Sequence, residues 1–114
     1  MNKIEAIIRP EKLTSVQIAL NDAGFKGMTV TRILGQGDNP GSSRTSSRGT
    51  GTYVDPTLSK IKLEIVVSDE DTDKVIGFII DSAATGKAGD GRIFVSRILD
   101  AVRIDTAERG AKSL

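Results

Sequence analysis

From Lys60 to Ile65 polar and apolar residues alternate, and over Ser59 to Val67 this places Ile61, Leu63, Ile65 and Val67 on one face. A period of two sustained over that length dictates a strand with one buried face. Lys3 to Arg9 repeats the pattern, setting Ile4, Ala6 and Ile8 against Lys3, Glu5 and Arg9. Gly27 to Leu34 and Arg92 to Ser96 read as further strands, rich in β-branched residues, and Val102 to Asp105 as a short fifth.

Two helices fall between these strands. Pro10 opens the first, in which Leu13, Val16 and Leu20 recur at helical spacing before Asn21 and Gly24 stop it. Ser68 and the acidic residues Asp69, Glu70, Asp71 and Asp73 open the second, where negative charge suits the N-terminal end of the macrodipole. Val75, Ile79 and Ala83 form its apolar face, broadened by Ile76, Phe78 and Ile80, and Thr85-Gly86 ends it. The order β-α-β-β-α-β plus a short C-terminal strand predicts an α+β, ferredoxin-like split βαβ fold, with both helices on one face of an antiparallel sheet. The other sheet face needs cover, and in a single domain spanning 1–114 a second copy of the chain is the expected source.

Composition narrows the chemistry. The 114 residues contain no cysteine and no histidine, which removes disulfides, thiolate nucleophiles, imidazole bases and the commonest transition-metal ligands. Sixteen Lys and Arg against fifteen Asp and Glu leave a net charge of +1, too balanced for sequence-independent nucleic-acid binding, so any anion site is local. Met1 to Pro10 interleaves charges with apolar residues, and the longest near-continuous apolar run, Val75 to Ile80, is far too short to span a bilayer. A cytoplasmic protein with no direct membrane insertion is expected.

Gln36 to Thr57 is aperiodic. It holds Gly37, Gly41, Gly49, Gly51, Pro40 and Pro56 around the run GSSRTSSRGTGT. Structureless connections beyond about 12 to 15 residues are functional loops or linkers, and neither flank here is large enough to fold alone. Glycines also cluster where strands end, in Gly27-Met28-Thr29, in Gly35-Gln36-Gly37, and in Thr85-Gly86-Lys87-Ala88-Gly89-Asp90-Gly91-Arg92. Such turns can aim backbone N–H groups into a nest for phosphate oxygens, with Lys87 and Arg92 adding charge. The last segment is not a P-loop, because Ala88 follows Gly86-Lys87 and Asp81 stands where the first glycine belongs. A glycine-capped αβ connection would give the same pattern.

The segments IEAIIRPEKL, GMTVTRILGQG, KIKLEIVV, TGKAGDGRIFV and VRIDTAE, in this order, resemble the PII signal-transduction proteins over almost the whole chain. Residues 85–92 are similar to that family's phosphate-binding B-loop, 36–57 to its T-loop and 103–114 to its C-terminal segment. The resemblance implies a non-enzymatic homotrimer that holds ATP or ADP, with or without Mg2+, in clefts between subunits. A target protein, such as a membrane transporter complex or a metabolic enzyme, is engaged through the T-loop. It places Gly27, Met28, Thr29 and Val66 around the adenine and Gly35, Gln36 and Gly37 at the T-loop base. Thr85, Gly86, Lys87, Ala88, Gly89, Asp90, Gly91, Arg92 and Arg103 fall around ribose and phosphates.

Several positions depart from the family pattern. Asp38 and Asp105 stand where phosphate-binding arginines are usual, Arg92 replaces a lysine, and Asn39 replaces a glutamine that serves magnesium and 2-oxoglutarate. Lys60 matches the family's 2-oxoglutarate lysine. The expected behaviour is that of an energy-state sensor with weak or no 2-oxoglutarate response; the alternative is a nitrogen sensor that responds to 2-oxoglutarate. The family's modifiable tyrosine aligns to Thr52 or to Tyr53, and Ser42, Ser43, Ser46 and Ser47 are candidates for phosphorylation, although a serine-rich loop is more often simply soluble and flexible. An acylphosphatase-like enzyme on the same fold needs glycines between the first strand and helix, where Arg9-Pro10-Glu11-Lys12 has none. An RNA-recognition module needs strand aromatics, and Phe94 is the only one in the predicted strands.

Overall fold

The computed structural model describes the backbone of residues 1–35, 43–45, 52–54 and 58–114. Strand β1 (Asn2–Ile8) is followed by a 3-10 turn at Pro10–Lys12 and helix α1 (Leu13–Asp22), then by β2 (Met28–Gly35). Short strands β3 (Ser43–Thr45) and β4 (Thr52–Val54) precede β5 (Leu58–Val67), helix α2 (Thr72–Ala83) and β6 (Gly91–Arg97). The main sheet has the order β2-β5-β1-β6 with every neighbour antiparallel, which is the ferredoxin-like arrangement.

The alternation of β5 sets the core. Ile61, Leu63 and Ile65 pair across with Ile8, Ala6 and Ile4 of β1, so one face of the two central strands is apolar over these three pairs, with Val67 opposite Asn2 at its end. Both helices cover that face, bringing Val16 and Leu20 of α1 and Val75, Ile79 and Ala83 of α2 into one buried cluster with it. Burial of that apolar surface drives the fold. On the opposite face Lys3, Glu5, Lys62 and Glu64 form a half-buried ladder of ion pairs, Lys3 lying 3.0 Å from Glu5 and Lys62 3.3 Å from Glu64. The hydrogen bond between them raises the Lys3 ammonium above its usual value and lowers the Glu5 carboxyl.

Four expectations change. Val102 to Asp105 is not a strand: Val102 makes a single bridge to Arg109, because the chain reverses between Arg103 and Glu108 with Ala107 at φ 59°. Arg103 N–H donates to the Glu108 carbonyl and Ala107 N–H to the Arg103 carbonyl, closing the turn before a ladder can extend. The aperiodic stretch contains β3 and β4, paired antiparallel from Ser43↔Val54 to Thr45↔Thr52, so Tyr53 is a strand aromatic besides Phe94. Helix α2 ends at Ala83, before Thr85, and Ile80 is half exposed instead of broadening the buried face. Ser68 precedes a 3-10 turn, Asp69–Asp71, and its hydroxyl donates to Asp71 at 3.1 Å instead of capping a helix.

Asp69, expected only to open the second helix, makes contacts across the fold. It accepts from Arg97 Nη1 at 2.7 Å and from the Met1 ammonium at 2.9 Å, tying the end of β6 and the start of β1 to the turn before α2. The hydrogen bond from Arg97, then that from the Met1 amine, hold its carboxyl down to about 2 from 3.8. A folded-state value below the unfolded one means stability that is present above 3.8 and lost as pH falls through about 2. Asp69→Asn is therefore expected to flatten the loss of stability between about pH 4 and pH 2, read by urea denaturation at stepped pH. An unchanged acid limb would show that these contacts are not made in solution.

Candidate functional site

The connection from α2 to β6 is folded around a carboxylate. Asp90 Oδ2 accepts from the Thr85 N–H at 2.7 Å and from the Gly86 N–H at 2.9 Å. Its Oδ1 accepts from the Thr85 hydroxyl and from Arg9 Nε at 3.1 Å. The Thr85 hydroxyl contact, followed by the Thr85 amide, Arg9 and the Gly86 amide, holds the Asp90 carboxyl well below the usual carboxylate range. The loop is turned by Gly86 at φ 82°, and Lys87 N–H returns to the Thr85 hydroxyl at 3.2 Å.

Two cations from the sheet grip the loop backbone. Arg9, just beyond β1, donates from Nη2 to the Ala88 carbonyl at 2.9 Å, and Lys60 of β5 donates to the Gly89 carbonyl at 2.6 Å. Gly91 opens β6 opposite Ile8 at φ 112°, where a Cβ would lie 1.7 Å from the Ile7 carbonyl oxygen. Arg92 follows, exposed, opposite Ile7.

A separate cleft of about 490 Å³ opens at the other end of the sheet. Gly27, Thr29, Glu64 and Val66 line it together with Lys3 and Leu114. Met28 pairs with Ile65 and packs its side chain against the core, so of the residues expected around an adenine, Gly27, Thr29 and Val66 share the cleft. None of residues 84–91 lines it. Three strand residues, about 10 Å, separate the row of Glu5, Glu64 and Thr29 from the row of Ile8 and Gly91.

Asp105 does not stand apart from the cation it neighbours. Its Oδ1 accepts from Arg103 Nε at 3.2 Å, with both side chains at least half exposed. Gly35 ends β2 opposite Leu58, and Thr52 and Tyr53 lie in β4 opposite Thr45 and Arg44. Gln36, Gly37, Asp38 and Asn39 lie outside the described residues, as do Ser42, Ser46 and Ser47. Sequence reading missed two residues. Arg9 reads as one polar position of an alternating strand and Glu64 as another, and only their contacts distinguish them from surface charges. Among the described residues no helix is long and apolar enough to cross a membrane.

Known proteins match this chain along its length. A family model described as Nitrogen regulatory protein P-II matches residues 1–108. The Nitrogen regulatory protein P-II 2 of Methanothermobacter thermautotrophicus is 50% identical over 114 residues, covering 100% of this chain and 97% of the relative. Proteins named Nitrogen regulatory protein P-II from Microchaete diplosiphon and Nostoc punctiforme are 46% and 45% identical, each covering 100% of both chains. Matched almost end to end by the family model and at about half identity by full-length relatives, this chain belongs to the P-II family.

Proposed function

We propose that this protein is a non-enzymatic cytoplasmic regulator that binds ADP or ATP between copies of itself and passes the bound state to a target protein through residues 36–57. The observation that carries this reading is the glycine-rich loop at 84–91, held in a tight turn by Asp90, in which the Gly89 and Asp90 N–H groups bond to no backbone carbonyl among the described residues, with Arg92 following in the chain. Convergent N–H donors with a neighbouring guanidinium are what a diphosphate requires. The cleft bounded by Gly27, Thr29 and Val66 has apolar and backbone surface suited to a base, yet contains no loop residue. A second copy, packed on the open sheet face, supplies the loop to the cleft of the first, and closure by rotation makes a trimer. The target class is a transporter or an enzyme of nitrogen metabolism, in keeping with the relatives' name.

Asp105 favours the energy-state reading over the 2-oxoglutarate reading. By pairing with Arg103 it spends a cation that would otherwise meet a terminal phosphate, and ATP brings one more phosphate charge than ADP. Asp38 adds a second anion at the loop base. Lys60, the candidate effector lysine, is engaged with the Gly89 carbonyl, so an effector carboxylate would have to compete with that contact.

The test is calorimetry with ADP, ATP and 2-oxoglutarate, with and without Mg2+, alongside light scattering. ADP is expected to bind at least as well as ATP, to a trimer. Asp105→Arg is expected to shift the affinity ratio towards ATP by about tenfold, the size of one charge-assisted hydrogen bond partly screened by water. A monomer that binds neither nucleotide would overturn the function, and an unchanged ratio would show that Arg103 and Asp105 lie away from the phosphates.

A further inference from the structure

The loop at 84–91 has more donors than one ligand needs, and its own side chains decide which of them are available. A carboxylate offers about four acceptor sites. Those of Asp90 receive the Thr85 N–H, the Gly86 N–H, the Thr85 hydroxyl and Arg9 Nε. Two amides that the glycine pattern alone would aim at phosphate are therefore satisfied inside the loop.

The next two peptides are turned by the sheet. A trans peptide points its N–H away from its C=O. The Ala88 carbonyl is drawn to Arg9 Nη2, so the Gly89 N–H on the same peptide points away from Arg9. The Gly89 carbonyl is drawn to Lys60 Nζ, so the Asp90 N–H points away from Lys60. Neither N–H donates to another of the described residues. Two consecutive amides are thus turned away from the cations that hold their carbonyls, shortly before Arg92 in the chain.

We propose that Asp90 and Arg9 are positioning residues that act as a latch: the Asp90 carboxylate fills the Thr85 and Gly86 amide nest, Arg9 locks it, and the phosphate groups of a nucleoside diphosphate or triphosphate are received by the Gly89 and Asp90 amides. The inference rests on the nucleotide reading above. Arg9 is central because it touches both halves of the device, the Asp90 carboxylate through Nε and the Ala88 carbonyl through Nη2. A lysine carries the charge but not this fork. The strongly depressed carboxyl of Asp90 agrees with a latch whose carboxylate stays ionised at neutral pH.

Nitrogen-15 NMR of the unmodified protein titrated with ADP tests the geometry without any variant. The Gly89 and Asp90 amide signals are expected to move most, while Thr85 and Gly86 keep their shifts and their slow hydrogen exchange. Equal movement or lost protection at Thr85 and Gly86 would overturn the latch, since ADP would then have displaced Asp90. In variants, Asp90→Asn is expected to weaken ADP by about tenfold or more, with faster exchange at Thr85 and Gly86 even without ligand. Arg9→Lys should recover only part of the affinity lost in Arg9→Ala. Full recovery by lysine would reduce Arg9 to a point charge and overturn the fork. Failure of the nucleotide reading looks different: the unmodified protein would bind no ADP while Thr85 and Gly86 stayed protected in an Asp90-dependent way, leaving a loop latch with no phosphate role.

Discussion

Replacing Gly91 with alanine is expected to disrupt the junction of loop and sheet more than a methyl added at Gly24, Gly27, Gly77, Gly86 or Gly110 would disrupt its surroundings. The added Cβ would lie 1.7 Å from the Ile7 carbonyl oxygen and 2.8 Å from the Ile7 carbonyl carbon, both backbone atoms that no rotamer change can move. The position is also at φ 112°, a conformation L side chains rarely adopt. Relief requires β6 to separate from β1 at the Ile8↔Gly91 pair, which carries Arg92 and the end of the loop away with it. The cost is about 4 kcal/mol or more, the range of strain and backbone clash combined. Gly86→Ala is the control: it shares the positive φ, at 82°, but meets nothing within 4 Å, so it should cost only about 1–2 kcal/mol. Urea denaturation of the two variants side by side checks the ordering. Equal losses would mean that backbone conformation, not the approach of β1, is what Gly91 answers.

Leu63→Ala is expected to lose about 2–5 kcal/mol, towards the upper end, by opening a cavity in the centre of the sheet. Leu63 is fully buried on β5 and lies opposite Ala6 on one side and Val30 on the other. Ala6 is too small to swing into the space, and Val30 is a stiff β-branched side chain on an edge strand. The flanking residues Lys62 and Glu64 point to the other face, so the ion-pair ladder there should persist in the variant. The midpoint of urea unfolding should fall with its slope unchanged. Because binding of nucleotide or of further copies adds to apparent stability, the comparison belongs at one protein concentration without ligand. A loss below about 1 kcal/mol would show that the helices settle into the vacated volume.

The contrast between these two positions runs through the molecule. Leu63 could be read from the chain alone, because strict alternation forces one face of a strand inward whatever its partners are. The same physics made the β-α-β-β-α-β order legible, since short local periods of two and 3.6 are properties of neighbouring residues. The glycines at 86, 89 and 91 announced a tight loop for the same local reason, and the linear pattern of motifs was enough to place the chain beside its family.

What a residue touches across the sheet was not legible. Nothing local sends Arg9 to Asp90, 81 positions away, or Lys60 to the Gly89 carbonyl, 29 positions away. The failed fifth strand has the same origin. Val102 to Asp105 has strand composition, but a strand exists only through a partner, and the reversal between Arg103 and Glu108 leaves Val102 one bridge and no ladder. Local sequence determined the periodic elements and the backbone freedom of the loop. Tertiary structure alone decided which side chains hold that loop and which of its carbonyls they engage, because hydrogen bonding and charge pairing depend on distance in space and not along the chain.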